Sequence, residues 1–146
     1  MFSSSASLTA GLLAAASLAG CAAPRASSPP ARLAAADLLR APLAADLAPG
    51  LEVIIARVEV PPNTTIPWHS HPGEEFFYIV EGSADLLLLD GSSRTIHAGS
   101  PGQVPFRAVH TARTGSSGAR IVVFRVHPAG QPVRLPHDGA TPHDRP

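Results

Sequence analysis

His69 and His71 stand at i and i+2 in the run Trp68-His69-Ser70-His71-Pro72-Gly73-Glu74-Glu75. On an extended strand that spacing sends both imidazoles to one face, close enough to share a cation. The Pro72-Gly73 turn folds the chain back. It thereby brings the carboxylate of Glu75 towards the two rings and points Glu74 to the opposite face. Two imidazoles and a carboxylate are nitrogen and oxygen donors of borderline softness, which suit a first-row divalent transition metal better than calcium. Each residue taken singly reads as an ordinary strand side chain; the set at this spacing reads as a chelate.

Donors of this kind need a rigid frame, and the frame the sequence predicts is made of short strands. Sixteen Pro and twelve Gly in 146 residues exclude long helices beyond the N-terminal segment. The β-favouring runs are 51–60, 74–81, 84–90, 94–97, 103–105, 109–114 and 119–127. Turn formers separate them at Pro61-Pro62-Asn63, Gly82-Ser83, Gly91-Ser92-Ser93, Gly99-Ser100-Pro101-Gly102 and Gly115-Ser116-Ser117-Gly118. Such regular punctuation predicts a series of hairpins in an all-β sandwich or barrel, whose closure would remove exposed edges. Phe77 and Ile79 share the parity of Glu75 and are expected to line the interior beside the donors. Trp68 and Tyr78 have the opposite parity and are expected to cover an outer face or the other sheet.

The order His69, Ser70, His71, three residues, Glu75, six residues, Gly82 resembles the first sequence motif of the cupins. Gly99, five residues, Pro105 and then His110 resemble the second. The resemblance implies one all-β cupin (double-stranded β-helix, or jelly-roll) barrel over 37–129, with His110 as the last ligand beside His69, His71 and Glu75. It further implies one divalent transition-metal ion (Fe, Mn, Ni, Co, Cu or Zn), a small-molecule ligand or substrate, and pairing of two copies through an edge strand. Dioxygenase-like, isomerase and lyase chemistries occur on such barrels, and so do non-catalytic modules that bind a small ligand or a metal. No nucleophile or acid–base motif stands out, so no catalytic residue is assigned beyond the ligands. Residues 33–47, rich in Ala and Leu, read as a weak helix on propensity or as the edge strand that cupins place there, with Pro42 as an interruption.

Two positions depart from the second motif. Arg107 stands where cupins usually carry Gly, and Thr114 where they often carry Asn. If that Gly position needs a positive φ, an arginine there costs on the order of 1 kcal/mol. The loop then either accepts the strain or takes another course that moves His110. On the family's course Arg107 lies beside the mouth of the site, where it would attract an anionic substrate or simply be solvated.

The ends of the chain carry an address and a tail. Residues 8–21, LTAGLLAAASLAGC, form an apolar stretch shorter than the roughly 20 residues that span hydrocarbon, which suits a signal-peptide core. Leu18-Ala19-Gly20-Cys21 resembles a bacterial lipobox, although residues 2–8 contain no Lys or Arg. The resemblance implies removal of 1–20, lipidation of Cys21, export, and a membrane anchor facing the periplasm. Ala22 favours onward sorting to an outer membrane. Residues 21–36 are expected to be a flexible tether and 130–146 a Pro-rich, mostly disordered tail. His97 and His127 read as strand-end residues, and His137 and His143 as tail residues with adventitious metal binding at most. The single Cys excludes an intrachain disulfide. Eleven Lys+Arg against eleven Asp+Glu, with no basic run, exclude binding to a phosphate backbone, so no nucleic-acid partner is expected.

Overall fold

The computed structural model describes residues 31–139. The expected signal segment 1–20, Cys21, Ala22, most of the tether, His143 and the last residues of the tail lie outside the described residues. Two long strands form the spine: β4 (Glu74–Leu88) and β7 (His110–Pro128) pair antiparallel from Glu74↔Val126 to Leu88↔His110. The expected turns at Gly82-Ser83 and Gly115–Gly118 do not reverse the chain, so each pair of predicted strands is one strand. The physical reason is the positive φ of Gly82 and Gly118, 74° and 66°, at the point where the two strands cross. Register shifts flank Gly82, and a Cβ there would run into the carbonyl oxygen of Gly118. Glycine at a bulge bends a ladder without ending it.

Around this bent spine the other strands attach by halves. β2 (Leu51–Val60) pairs with the second half of β7, and β6 (Pro101–Val104) with the first half of β4. β5 (Ser93–His97) pairs with the second half of β4, and β3 (His69–Ser70) with the start of β7. The Asp90-Gly91-Ser92 turn between β4 and β5 is a true hairpin, closed by the Ser92 amide on the Asp90 carboxylate. The result is one curled, wholly antiparallel sheet, an all-β barrel of the predicted class. Its inner face holds Val58, Val60, Ile79, Leu86, Ile121 and Val123 among the core residues. Each such side chain contributes about 1.5–3 kcal/mol through burial.

Two boundaries differ from the sequence expectation. The tether ends earlier than residue 36, because β1 (Ala34–Pro42) already pairs with β2 from Ala34↔Glu59 to Pro42↔Glu52. Pairing there satisfies the edge of β2, which a helix over the same residues would leave open, and Pro42 ends the strand. The segment after β7 is not disordered up to residue 139. β8 (Leu135–Pro136) pairs with β3, and the His137 amide donates to the Trp68 carbonyl at 3.0 Å. β3 has β7 on one side only, and backbone groups on its other side need partners when buried.

Candidate metal centre

The register of β3 on β7 places His69 directly opposite His110, which closes a distance of forty-one positions along the chain into one cross-strand pair. Their ring centroids lie 4.4 Å apart. His71 follows immediately, its ring 4.9 Å from that of His69 and 5.3 Å from that of His110. All three are buried, and one nitrogen of each lies within 4.8 Å of the others. These three side chains could therefore hold one metal ion.

Their tautomers are fixed by backbone carbonyls. The Nδ1–H of His69 donates to Pro67 at 2.8 Å, that of His110 to Ala108 at 3.0 Å, and that of His71 to Val133. A carbonyl only accepts, so each Nδ1 carries the proton and each Nε2 keeps its lone pair. Outer partners of this kind orient metal-binding imidazoles and raise their basicity. Burial first, and the neighbouring His110 second, bring the pKa of His69 from 6.5 down to about 3. His110 is lowered too, chiefly by burial. Both rings therefore present free lone pairs at neutral pH.

Glu75 joins the cluster from β4. Its Oε2 lies 2.8 Å from His71 Nε2 and 2.6 Å from Arg125 Nε, and its Oε1 lies 3.9 Å from His110 Nε2. Burial alone would raise this carboxyl, but contact with His71 and the Arg125 charge outweigh it and hold the pKa at about 2. His71 Nε2 makes no aligned hydrogen bond despite the short approach. With its proton on Nδ1, the ring turns a lone pair towards a carboxylate oxygen. Two buried acceptors face to face need a cation between them, a proton or a metal, and the low carboxyl pKa belongs to that bridged arrangement. The donor set thus fits a first-row divalent ion.

Arg125 was not singled out from the sequence. It sits opposite Glu75 in the β4–β7 register, which is why the two side chains meet. Its signal was legible, since Arg125 shares the inward parity of Ile121 and Val123 within the otherwise apolar run Ile121–Val126. Arg134 was also missed, and no local pattern marks it. Both arginines, with His69, Glu75 and His110, line a cavity of about 50 Å³ whose other walls include Ile66, Phe77 and Ile79. Phe77 and Ile79 face inward and Tyr78 outward, as their parity predicts, while Trp68 is half-buried.

The loop before His110 takes the strained course. Arg107 has φ 57°, inside a turn closed by the Ala108 amide on the Pro105 carbonyl at 2.9 Å. Ala108 can then receive His110, so the departure at Arg107 leaves the last donor in place. The Arg107 side chain itself is exposed, 4.9 Å over the Phe106 ring, and does not line the cavity. Its expected place at the mouth is not observed. Thr114 is buried and pins the loop 61–64, donating to the Pro61 carbonyl at 2.6 Å and accepting from the Thr64 amide at 3.1 Å. His97 ends β5 and His127 stands next to the end of β7, as expected; His97 is exposed, whereas His127 is one of the most buried residues.

Residues 56–127 match the family described as Cupin domain. Among solved structures the chain is similar to the polyketide cyclase RemF from Streptomyces resistomycificus, with 28% identity and a TM-score of 0.52 over 60% of this chain and 62% of that one. It is similar to the DMSP lyase DddQ from Ruegeria pomeroyi, with 21% identity and a TM-score of 0.59 over 75% and 54%. A cupin superfamily protein from Desulfitobacterium hafniense matches with 12% identity and a TM-score of 0.56 over 69% and 83%. The chain thus spans about three fifths and about half the length of the first two. A comparison with curated proteins finds no match.

Proposed function

We propose that this all-β cupin barrel, whose residues 56–127 form a cupin domain, holds one divalent transition-metal ion on His69, His71, Glu75 and His110 and acts on a small molecule. The observation that carries the proposal is the convergence of three buried imidazoles whose Nδ1 protons are all committed to backbone carbonyls. Glu75 is the proposed fourth donor, with Oε2 2.8 Å from His71 Nε2 and Oε1 3.9 Å from His110 Nε2. When bound, the ion supplies Lewis-acid activation of a coordinated substrate. The chain's own residues do the rest: backbone carbonyls orient the rings, Arg125 keeps Glu75 ionised, and Phe77 and Ile79 exclude water. Dioxygenase-like, isomerase and lyase reactions are the classes proposed. A cyclase and a lyase among the similar structures are consistent with chemistry on this scaffold.

A second proposal is a non-catalytic binding module. It is favoured by the cavity wall, which among the described residues contributes Glu75 and two histidines and otherwise only arginines and apolar groups. Elemental analysis of protein purified without added metal should give about one equivalent of a transition metal. Negligible metal, with no thermal shift on adding Fe, Mn, Ni, Co, Cu or Zn, rejects the metal centre and leaves only a module that binds a small ligand. Turnover of small acids, catechols or diketones by loaded protein favours the enzyme; stabilisation without turnover favours the module.

The lipobox-like Leu18–Cys21 supports a further proposal of an exported, periplasm-facing lipoprotein, tested by the loss of lipid mass in Cys21→Ser. Among the described residues no helix is long and apolar enough to cross a membrane. A homodimer through β1 is proposed from the exposure of Leu38 and Leu39 at the sheet edge, and light scattering tests it.

A further inference from the structure

Arg134 reaches the metal cavity from the segment after β7, the same segment whose Val133 carbonyl orients His71. Among the described residues the charges around it are matched except its own. Arg125 is closed onto Glu75 at 2.6 Å. Asp37, which borders an adjoining cavity with both arginines, is taken by Arg40 at 3.1 Å. Among the described residues Arg134 has neither a hydrogen bond nor an ion pair. Burial, and then the Arg125 charge, lower its pKa from 12.5, yet a guanidinium in a protein stays charged. It is half-buried, its donors have no partner among the described residues, and it lines a pocket whose histidines are neutral. Partly buried charge without a partner is costly, and the cost is relieved when an anion arrives. A planar fork of N–H donors matches a carboxylate with two parallel bonds.

Resting on the metal-site proposal, we propose that Arg134 recognises the acid group of the small molecule that enters the cavity, so that short-chain carboxylic acids are the ligand class. Size agrees with charge. A cavity of about 50 Å³ admits only a few non-hydrogen atoms, since one water needs roughly 10–15 Å³ on the same measure. Ile66, Phe77 and Val104 offer only apolar contact to the rest of the ligand. Arg125 cannot serve, because Glu75 holds it; Arg107 cannot serve, because it lies over Phe106 outside the cavity.

The test uses the full chain loaded with Co(II), whose visible absorption reports entry of a ligand. Co(II) affinity is measured first, and then glycolate and its neutral isostere glycolamide are titrated into wild type, Arg134→Gln and Arg134→Lys. The preference for glycolate over glycolamide should fall by at least about tenfold in Arg134→Gln, the loss expected for one charge-assisted pair. Arg134→Lys should restore part of it, and Co(II) affinity should not weaken. A smaller fall in that preference, or an equal loss for acid and amide, overturns the assignment. If wild type takes up no Co(II), it is the metal proposal that fails. The thermal shift of metal-free chain by glycolate then decides for Arg134: a shift abolished in Arg134→Gln supports it, and an unchanged or absent shift overturns it.

Discussion

His110 at the start of β7 and His127 near its end are both buried, at 3% and 1% exposure, yet their surroundings differ in kind. His110 has its Nδ1 proton on the Ala108 carbonyl and meets two other imidazoles and a carboxylate. Neither ring nitrogen of His127 has a hydrogen bond. Its Nε2 lies 3.8 Å from Glu52 Oε1, which already accepts from Arg40 Nη1 at 2.7 Å. Gly73 packs on it so closely that a Cβ there would collide with its side chain, so the turn between the metal donors is what seals His127 in. Burial of an imidazole is therefore no mark of a ligand. Convergence of lone pairs with committed Nδ1 protons is.

The comparison breaks most visibly on substitution. His110→Ala should lower metal affinity by at least about a hundredfold, since even outer-sphere losses cost roughly 10–100-fold. His127→Leu should keep a full equivalent of metal. Its stability should stay within about 1 kcal/mol of wild type, because an apolar group replaces a ring that bonds to nothing. Elemental analysis and denaturant unfolding read both; metal loss in His127→Leu would erase the distinction between the two ends of β7.

Arg125→Leu sharpens the contrast at the level of charge. Removing one partner of a buried pair leaves Glu75 uncompensated, and the metal-free chain should lose about 3–5 kcal/mol. A bound cation can take over as the counter-charge. Added Zn(II) should therefore raise the melting temperature more in Arg125→Leu than in wild type. An equal rise in both would show that Glu75 does not feel the ion, leaving the centre to the three histidines alone.

Acid should separate the clusters without any substitution. His69 is held at about 3 when folded against 6.5 in its ordinary state, so between those values the unfolded chain binds a proton that the native chain does not. Stability of the metal-free protein must then fall as pH drops from 6.5 towards 3. Glu75, held at about 2 instead of 4.5, adds stability that is complete above 4.5 and lost as pH falls towards 2. Unfolding free energies measured across pH 7 to 3 should decline throughout, and His69→Leu should make the decline between 6.5 and 3 shallower, with His110 supplying part of what remains. A flat profile in wild type would contradict the buried, neutral state of His69.

What was readable beforehand follows the same divide between local and distant causes. His69, His71 and Glu75 are legible because parity and one turn place all three within seven residues. The bends at Gly82 and Gly118 were misread as turns, since a glycine of positive φ serves either purpose and only the facing strand decides. Arg125 had an inward parity that could have been read. Arg134 had none, because its position depends on β8 finding the free side of β3.

The smallest effect concerns the turn that delivers His110. At φ 57° a Cβ costs about 1–2 kcal/mol, which Arg107 bears. Arg107→Gly removes that strain, but it adds about 0.5–1 kcal/mol of unfolded-chain entropy. It also forfeits the exposed contact with Phe106, 4.9 Å away and worth about 0.5 kcal/mol. The sum is neutral to within about 0.5 kcal/mol. Arg107→Val keeps a Cβ at the same φ and branches it, so it should cost about 1 kcal/mol relative to arginine. Both variants should keep one equivalent of metal, because the Pro105–Ala108 turn and the Ala108 carbonyl survive. Equal stability of the Val and Gly variants would mean that the left-handed turn is not what positions His110.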